Sequence, residues 1–244
     1  SDLGKLILMN FDEVSANTFG HLIEASAAIR SRVEGAGGQV RYTAYGYHGT
    51  EILIEGAYTW QTYTNYTQGF AKMRLERIAQ AAWTKGVKAT VYNCPEIRTN
   101  SSDIFAGVEL PLVPLLKALD QEGGGAWAKA QWQASADLLA DGVSMDDLMR
   151  KVDAFHASDV MRPFRNFEAW PMANAPAQAD LTIGTSDEVQ KMHKDPKALI
   201  TDLLSALVIE ATGPLMFGES AAPAGPVLWL NHDIIARQLN RLHA

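Results

Sequence analysis

The one cysteine of the chain, Cys94, is the residue whose type and position point most directly to chemistry. It follows an apolar segment that we predict to be a strand, and Pro95 comes next. A thiol becomes a nucleophile or a sulfur carrier when it ionises, which a helix N-terminus or an imidazolium favours. His48 ends another predicted strand and is the imidazole expected to orient or deprotonate the thiol. The alternatives are a buried, inert cysteine and a histidine that stabilises a turn.

Polar side chains also stand at the ends of other predicted strands. In open parallel sheets, ligands bind outside the carboxyl ends of the strands, where loops and helix N-termini converge. This rule predicts a substrate-binding group that shares one sheet edge with Cys94. Its members are Asn10, Asp12, Tyr47, Asn231, His232 and Asp233. Asp12 and Asp233 have an alternative role as caps of the helices that follow them.

Metal and cofactor motifs are absent from the sequence. One cysteine excludes an intrachain disulfide framework and any multi-cysteine zinc site. The remaining histidines have no second ligand one helical turn away; they are His21, His156, His193 and His243. There is no GxGxxG, Walker, HExxH or GxSxG motif. We therefore predict no metal and no cofactor.

Strands alternate with glycine-terminated helices along the chain. The predicted strands are 5–11, 39–47, 87–93, 108–112, 181–184 and 226–230, and the predicted helices are 17–34, 68–84, 114–121, 126–140, 144–156, 196–212 and 234–242. Residues 51–55 are a short apolar segment of undecided type. Four aromatic residues are predicted to form a binding surface, an oligomer contact or a covered sheet edge: Tyr58, Trp60, Tyr63 and Tyr66.

This alternation predicts an α/β fold, a three-layer sandwich with a mainly parallel sheet and a helix-rich C-terminal half. If residues 45–50 form a hairpin turn, the first half becomes instead a ferredoxin-like α+β unit. The three glycines 123–125 mark the predicted boundary between a unit of residues 1–125 and an extension of residues 126–244. The extension could complete the same sheet.

The composition of the chain limits the classes of molecule that it is expected to bind. The 244 residues include 28 acidic and 21 basic side chains, which gives a net charge of −7. An acidic chain without a run of Lys and Arg is unsuited to nucleic acid or to an anionic membrane. The longest apolar segment, 199–216, contains five polar residues and is predicted to be a buried helix. We expect a cytoplasmic protein, or a periplasmic one if a signal peptide preceded Ser1.

The first half resembles the DsrE/DsrF-like sulfur-relay family. The resemblance extends from Lys5 to about Gly125 and rests on four features in order. They are the segment KLILMNFD, the exit Tyr47-His48-Gly49, the segment from Lys85-Gly86-Val87 to the cysteine in VKATVYNCPEI, and the stretch from Asp103 through Val108-Glu109 to the helix LLKALDQEG. Pro95 after the cysteine and the long second half depart from the family pattern.

The resemblance implies a parallel sheet and assembly into a homo-oligomer. It assigns persulfide transfer to Cys94, with His48 beside it and a sulfur donor or acceptor protein as partner. Two other hypotheses stay open. One is a hydrolase or transferase that uses Cys94, His48 and Asp12. The other is a non-catalytic protein that binds a small molecule or acts as a scaffold.

Overall fold

The computed structural model describes residues 1–46, 48–61, 67–99, 106–166 and 176–244. Its helices, in chain order, are α1 (Asp2–Asp12), α2 (Thr18–Ala25), α3 (Ala27–Gly35), α4 (Thr67–Thr84), α5 (Glu109–Leu112), α6 (Leu115–Gln121), α7 (Gly125–Ala136), α8 (Met145–Ala157), α9 (Pro176–Lys191), α10 (Ile200–Ala221) and α11 (His232–Leu242). A π-helical turn, Glu13–Asn17, joins α1 to α2, and a 3₁₀ turn covers Arg162–Arg165. The strands are β1 (Arg41–Gly46), β2 (Thr50–Ile54), β3 (Ala57–Gln61), β4 (Lys88–Asn93) and β5 (Val227–Trp229).

The described residues fall into two compact units made of interleaved segments. Unit 1 draws on Ser1–His48, Thr64–Cys94 and Leu215–Trp229, and unit 2 draws on Gly49–Tyr63, Pro95–Pro214 and Leu230–Ala244. The predicted boundary at residue 125 stays a prediction.

Unit 1 is built on a parallel sheet in the order β1-β4-β5. β4 is the central strand and is buried from Ala89 to Asn93, as expected of a strand covered on both faces. β5 is paired to it from Val91 to Asn93, and the Thr90 hydroxyl donates to the Gly225 carbonyl at 2.8 Å. The predicted α/β class with a parallel sheet is confirmed.

The helices of unit 1 cover the sheet with apolar side chains. The core cluster consists of Ala16, Phe19, Ile23, Tyr42, Leu75, Ala79, Ala82, Ala89 and Val91. Helix α4 supplies three of these residues along its inner face. It ends in a Schellman turn: Val87 N–H donates to the Ala82 carbonyl at 3.0 Å, and Gly86 adopts φ +77°. The predicted helix 68–84 and the strand after it are therefore confirmed.

Unit 2 contains a hairpin and most of the helices of the second half. β2 and β3 pair antiparallel through a tight turn at Glu55 and Gly56, both with positive φ. α11 packs on α6 and on β2, and α8 packs on α9. Helix α8 begins with a capping box in which Ser144 and Asp147 satisfy each other's backbone N–H. The helix-rich second half is confirmed.

Three predicted strands are wrong, and each lies in a helix. The segment KLILMNF belongs to α1, which Ser1 caps by accepting from Gly4 N–H at 3.2 Å. Val108–Leu112 contains α5, and 181–184 lies inside α9. A short apolar run is compatible with either type of element, and local capping decides between them.

The ferredoxin-like alternative is also wrong. It requires a β-α-β-β-α-β order, but the chain begins with helices. The only antiparallel pair among the described strands is β2-β3, which forms a two-stranded sheet of its own.

One helix of the described residues, α10, is long and apolar enough to cross a membrane by length and composition alone, with a mean hydropathy of 1.4. Core helices of folded domains can reach the same length and hydropathy. In α10, 44% of the apolar window is buried inside the structure.

Candidate functional site

The carboxyl ends of β1 and β4 form the candidate site, and both belong to unit 1. The last registered pair of the two strands is Gly46 and Asn93. The side chain of Asn93 lies over Gly46 so closely that a Cβ on the glycine would stand 2.0 Å from Asn93 Oδ1. Glycine is therefore required at the end of β1 because the asparagine amide occupies the space above it.

Asn93 belongs to a buried polar cluster with Glu76 and His48. Its Nδ2 donates to Glu76 Oε1 at 2.8 Å, and His48 Nδ1 lies 3.3 Å from the same oxygen. The histidine contact is within ion-pair distance. All three side chains are at least nine-tenths buried. The Trp229 ring lies beside the imidazole, with 6.3 Å between ring centroids.

Lys72 stands on α4 one turn before Glu76. Its Nζ donates to the Tyr45 carbonyl at 3.0 Å, at the end of β1. Burial lowers the pKa of Lys72 from its ordinary value, because removal of water disfavours the charged ammonium. Helix α4 thus places a desolvated cation and a buried carboxylate, on consecutive turns, at the ends of two parallel strands.

Cys94 follows β4 directly and is buried. Its thiol donates a weak hydrogen bond to the Tyr92 carbonyl, at an S···O distance of 3.8 Å. Burial raises the pKa of Cys94 to about 12. This change is opposite to the one that a reactive thiolate needs, because the neutral thiol persists at physiological pH. Cys94 and His48 both belong to unit 1.

Two other predicted binding residues, Asn10 and Asp12, are not at a strand exit. Asn10 and Asp12 lie in α1, so the prediction that they follow a strand is wrong. Asn10 is exposed, and Asp12 forms an ion pair with Arg74 at 3.2 Å. Tyr47 lies outside the described residues.

Asn231, His232 and Asp233 belong to unit 2, where they start α11. Asn231 and Glu51 exchange two hydrogen bonds of 2.9 Å each, one of them from the Glu51 backbone N–H. Asp233 accepts from Arg237, which also donates to Glu122 at 3.0 Å.

These contacts hold the hairpin against α11. Tyr58 of β3 joins the same group by donating to Glu122 at 2.8 Å. Burial and the Glu122 carboxylate raise the pKa of Tyr58.

His232 is buried and neutral. Burial lowers its pKa to about 3, and the neighbouring His156 contributes in the same direction. His156 is itself buried, with its pKa lowered to about 4, and its Nε2 lies 2.9 Å from the Leu110 carbonyl.

Three residues of the candidate site were missed by sequence reasoning: Lys72, Glu76 and Asn93. The available signal was a lysine and a glutamate spaced one turn apart in a helix that follows a strand and leads into another. Within the described residues, no group of three or more His, Cys, Asp or Glu side chains could hold a metal ion.

The fold defines an α/β protein with a parallel sheet, and the polar strand ends are its candidate ligand site. The chain belongs to the family described as "Enoyl-acyl carrier protein reductase FabMG", whose model matches residues 1–239. No curated protein matches the chain.

Two solved structures are similar over the whole chain. One is described as the apo structure of FabMG, a novel type of enoyl-acyl carrier protein reductase. It is 72% identical with a TM-score of 0.94, and the match covers 100% of this chain and 55% of that one. The other is described as an NADH-bound structure of FabMG. It is 66% identical with a TM-score of 0.84, over 100% of this chain and 59% of that one. The chain thus spans somewhat more than half of the length of these relatives.

The family match corrects the functional expectations. The resemblance to the DsrE/DsrF-like family is wrong, and with it persulfide transfer by Cys94 and a sulfur donor or acceptor partner. The hydrolase, transferase and scaffold alternatives are wrong for the same reason. The expectation of a small-molecule ligand is supported by the NADH in a relative. Assembly into a homo-oligomer stays a prediction.

Proposed function

We propose that this chain is the part of an NADH-dependent enoyl-acyl carrier protein reductase that holds the reacting end of the cofactor and the enoyl thioester. The observation that carries the proposal is the desolvated ammonium of Lys72 at the carboxyl end of β1, in a chain whose family consists of such reductases. The chain spans only part of its solved relatives, so the activity belongs to the proposal.

The residues at this edge fit the nicotinamide-ribose end of the cofactor. Lys72 supplies a cation, and Asn93 Oδ1 is a buried acceptor without a hydrogen-bond partner among the described residues. The sequence has no GxGxxG loop for the pyrophosphate. We therefore assign only the reacting end of NADH to these residues.

Lys72 would act on the charge that the reaction creates. NADH, when bound, supplies a hydride to the β-carbon of the enoyl thioester. Negative charge then develops on the thioester oxygen, and a fixed cation in a site with little water stabilises it. Tyr63 and Tyr66 precede Lys72 in the sequence and offer phenol donors; both lie outside the described residues.

Loss of NADH absorbance with a crotonyl thioester of acyl carrier protein tests the proposal. We expect Lys72→Met to lower kcat/KM by about 10²–10³-fold, the range for removal of one group that stabilises developing charge. Lys85→Met is the matched control, because Lys85 is exposed just beyond the other end of α4. Wild-type protein that oxidises no NADH with the thioester, or a Lys72→Met variant as active as the control, would overturn it.

A further inference from the structure

A groove in unit 1 lies between α2 and α3 on one side and the second half of α4 on the other. Its volume is about 580 Å³, within the range of small-molecule sites, and its lining shares no residue with the candidate site at the strand ends. Its floor is apolar. Ile23 and Ala82 belong to the core cluster, and Ile78 and Val87 pack against that cluster while they stay partly exposed. The groove therefore offers apolar surface to a ligand.

Small side chains keep this groove open. Gly20 and Ala27 stand about two helical turns apart on the α2–α3 side, and Ala81 lines the α4 side. A Cβ built on Gly20 would lie 3.7 Å from Ile78 Cγ2, so α2 and α4 approach each other closely at that point. The lining extends along α2 and α3 from Gly20 to Arg30, which is roughly 15 Å at the helical rise. This length suits an extended chain.

Arg30 lines the groove with its guanidinium held in place. Nη1 donates to the Ile23 carbonyl and to the Tyr42 hydroxyl, both at 3.2 Å. The Ile23 carbonyl is available because it belongs to the last turn of α2, which ends at Ala25. Among the described residues, the guanidinium thus bonds neutral oxygens and has no carboxylate within 4.0 Å. Its positive charge is oriented but not neutralised, and Nε and Nη2 keep N–H groups for a ligand.

The other charges of the lining leave room for one anion. On the α2–α3 side the remaining ionisable groups are His21 and Glu24. His21 Nε2 lies 2.9 Å from Glu13 Oε1, and Glu24 is exposed and precedes Arg30 by more than one helical turn. The described lining residues of α4 include no carboxylate. A molecule that fits this groove has a negative group at Arg30 and an apolar body along the floor.

We propose that this groove binds a medium-chain carboxylate, with its carboxylate on Arg30 and its alkyl chain over Ile23, Ile78 and Val87. A guanidinium gives a carboxylate two parallel N–H bonds, which add direction to the charge pair. The alkyl chain removes the partly exposed side chains of the floor from water, and the gain grows with the apolar area that is buried. The site differs in place and in ligand from the proposed reductase site, and neither depends on the other.

Calorimetric titration of the protein with decanoate, below the concentration at which it forms micelles, tests the charge. We expect one decanoate per chain and weaker binding of decylamine, which has the opposite charge on the same chain. Arg30→Gln is expected to lower the affinity for decanoate by about 10-fold or more, the range for a hydrogen bond to a charged group. Arg30→Lys retains part of that affinity. Glu24→Gln removes a repelling charge and is expected to raise the affinity by a few-fold.

Two leucine variants on α4 locate the alkyl chain. Ala81→Leu fills part of the groove and is expected to lower the affinity for decanoate by about 10-fold, because overpacking excludes the chain. Gln80→Leu is the matched control, since it introduces leucine at the neighbouring exposed position outside the lining, and it should bind decanoate as the wild type does. In the wild-type protein, decanoate is expected to shift the methyl NMR signals of Ile78 and Val87.

Three results would overturn the proposal. The first is wild-type protein that does not bind decanoate. The second is undiminished binding by Arg30→Gln and Ala81→Leu, both folded by their circular dichroism, or equal loss of binding in Gln80→Leu. The third is a wild-type dimer that Ala81→Leu converts to monomers, because the groove would then be an interface between two copies of the chain. Reductase activity enters none of these measurements, so the outcome is separate from that of the proposed function.

Discussion

Replacement of Gly46 by alanine is the sharpest test of the geometry at the strand ends. The new Cβ would stand 2.0 Å from Asn93 Oδ1 and 2.7 Å from Val91 Cγ1. Neither neighbour can move without loss, because Val91 is part of the core and Asn93 donates to Glu76. The substitution should therefore act through the asparagine on the whole polar cluster.

The expected magnitude combines three effects. Overpacking in a core costs about 1–3 kcal/mol. Separation of Asn93 from Glu76 leaves a buried carboxylate short of one donor, which costs about 1–3 kcal/mol more. Alanine lowers the entropy of the unfolded chain relative to glycine, which offsets roughly 0.5–1 kcal/mol. We expect the free energy of unfolding to fall by roughly 2–4 kcal/mol.

Urea denaturation measures this change as a lower midpoint at an unchanged slope. Gly218→Ala is the matched control, since no atom lies within 4 Å of a Cβ built there and the helix favours alanine. In the double variant Gly46→Ala/Asn93→Ala the clash with the amide is absent. The double variant should therefore lose less free energy of unfolding than the two single variants lose together. A Gly46→Ala variant within about 0.5 kcal/mol of wild type would refute the reasoning.

Three further outcomes are expected. Cys94, with its pKa raised to about 12, should react slowly with thiol reagents in the native protein at pH 8 and rapidly in urea; equal rates would contradict its burial. Burial holds the pKa of His156 near 4 and that of His232 near 3, so the unfolded chain binds more protons below about pH 6.5. Stability should therefore fall as the pH decreases from about 6.5 towards 4 and be unaffected by these groups above 6.5; a urea midpoint that is flat across this range would refute it. Ser144→Ala should lower the free energy of unfolding by about 0.5–2 kcal/mol through loss of the capping box, whereas Ser220→Ala, near the exposed end of α10, should have little effect.

The parts of the fold that the sequence predicts are those in which local signals agree with burial. Strands β1 and β4 and helix α4 were predicted because β-branched residues, helical spacing and Gly86 all mark the same boundaries. Helix α1 was missed because its apolar residues carry no period that separates helix from strand. Leu3, Leu6 and Met9 are more than half exposed, so burial did not impose a pattern on them.

For the candidate site, sequence reasoning considered some of the residues and missed others. The rule that ligands bind at strand exits directed attention to the region of His48 and Cys94, and their role in a site stays a prediction. Glu76 and Lys72 were not found because their significance depends on tertiary contacts with Asn93 and the Tyr45 carbonyl. The family was misassigned because glycine-terminated helices and a cysteine after a strand are general features of α/β chains.

The interleaved composition of unit 1 has a consequence for how the chain acquires its structure. β5 pairs with β4 through Val91 and Val227, so the edge of the central strand stays open until the segment that contains β5 has been synthesised. Contacts between residues so far apart in sequence form late, because closing a long loop costs entropy before the strand pairing contributes stabilising free energy. During that interval an apolar strand presents unpaired backbone groups to other chains. We expect variants that weaken β5 to reduce the yield of soluble protein during refolding before they measurably change the native state.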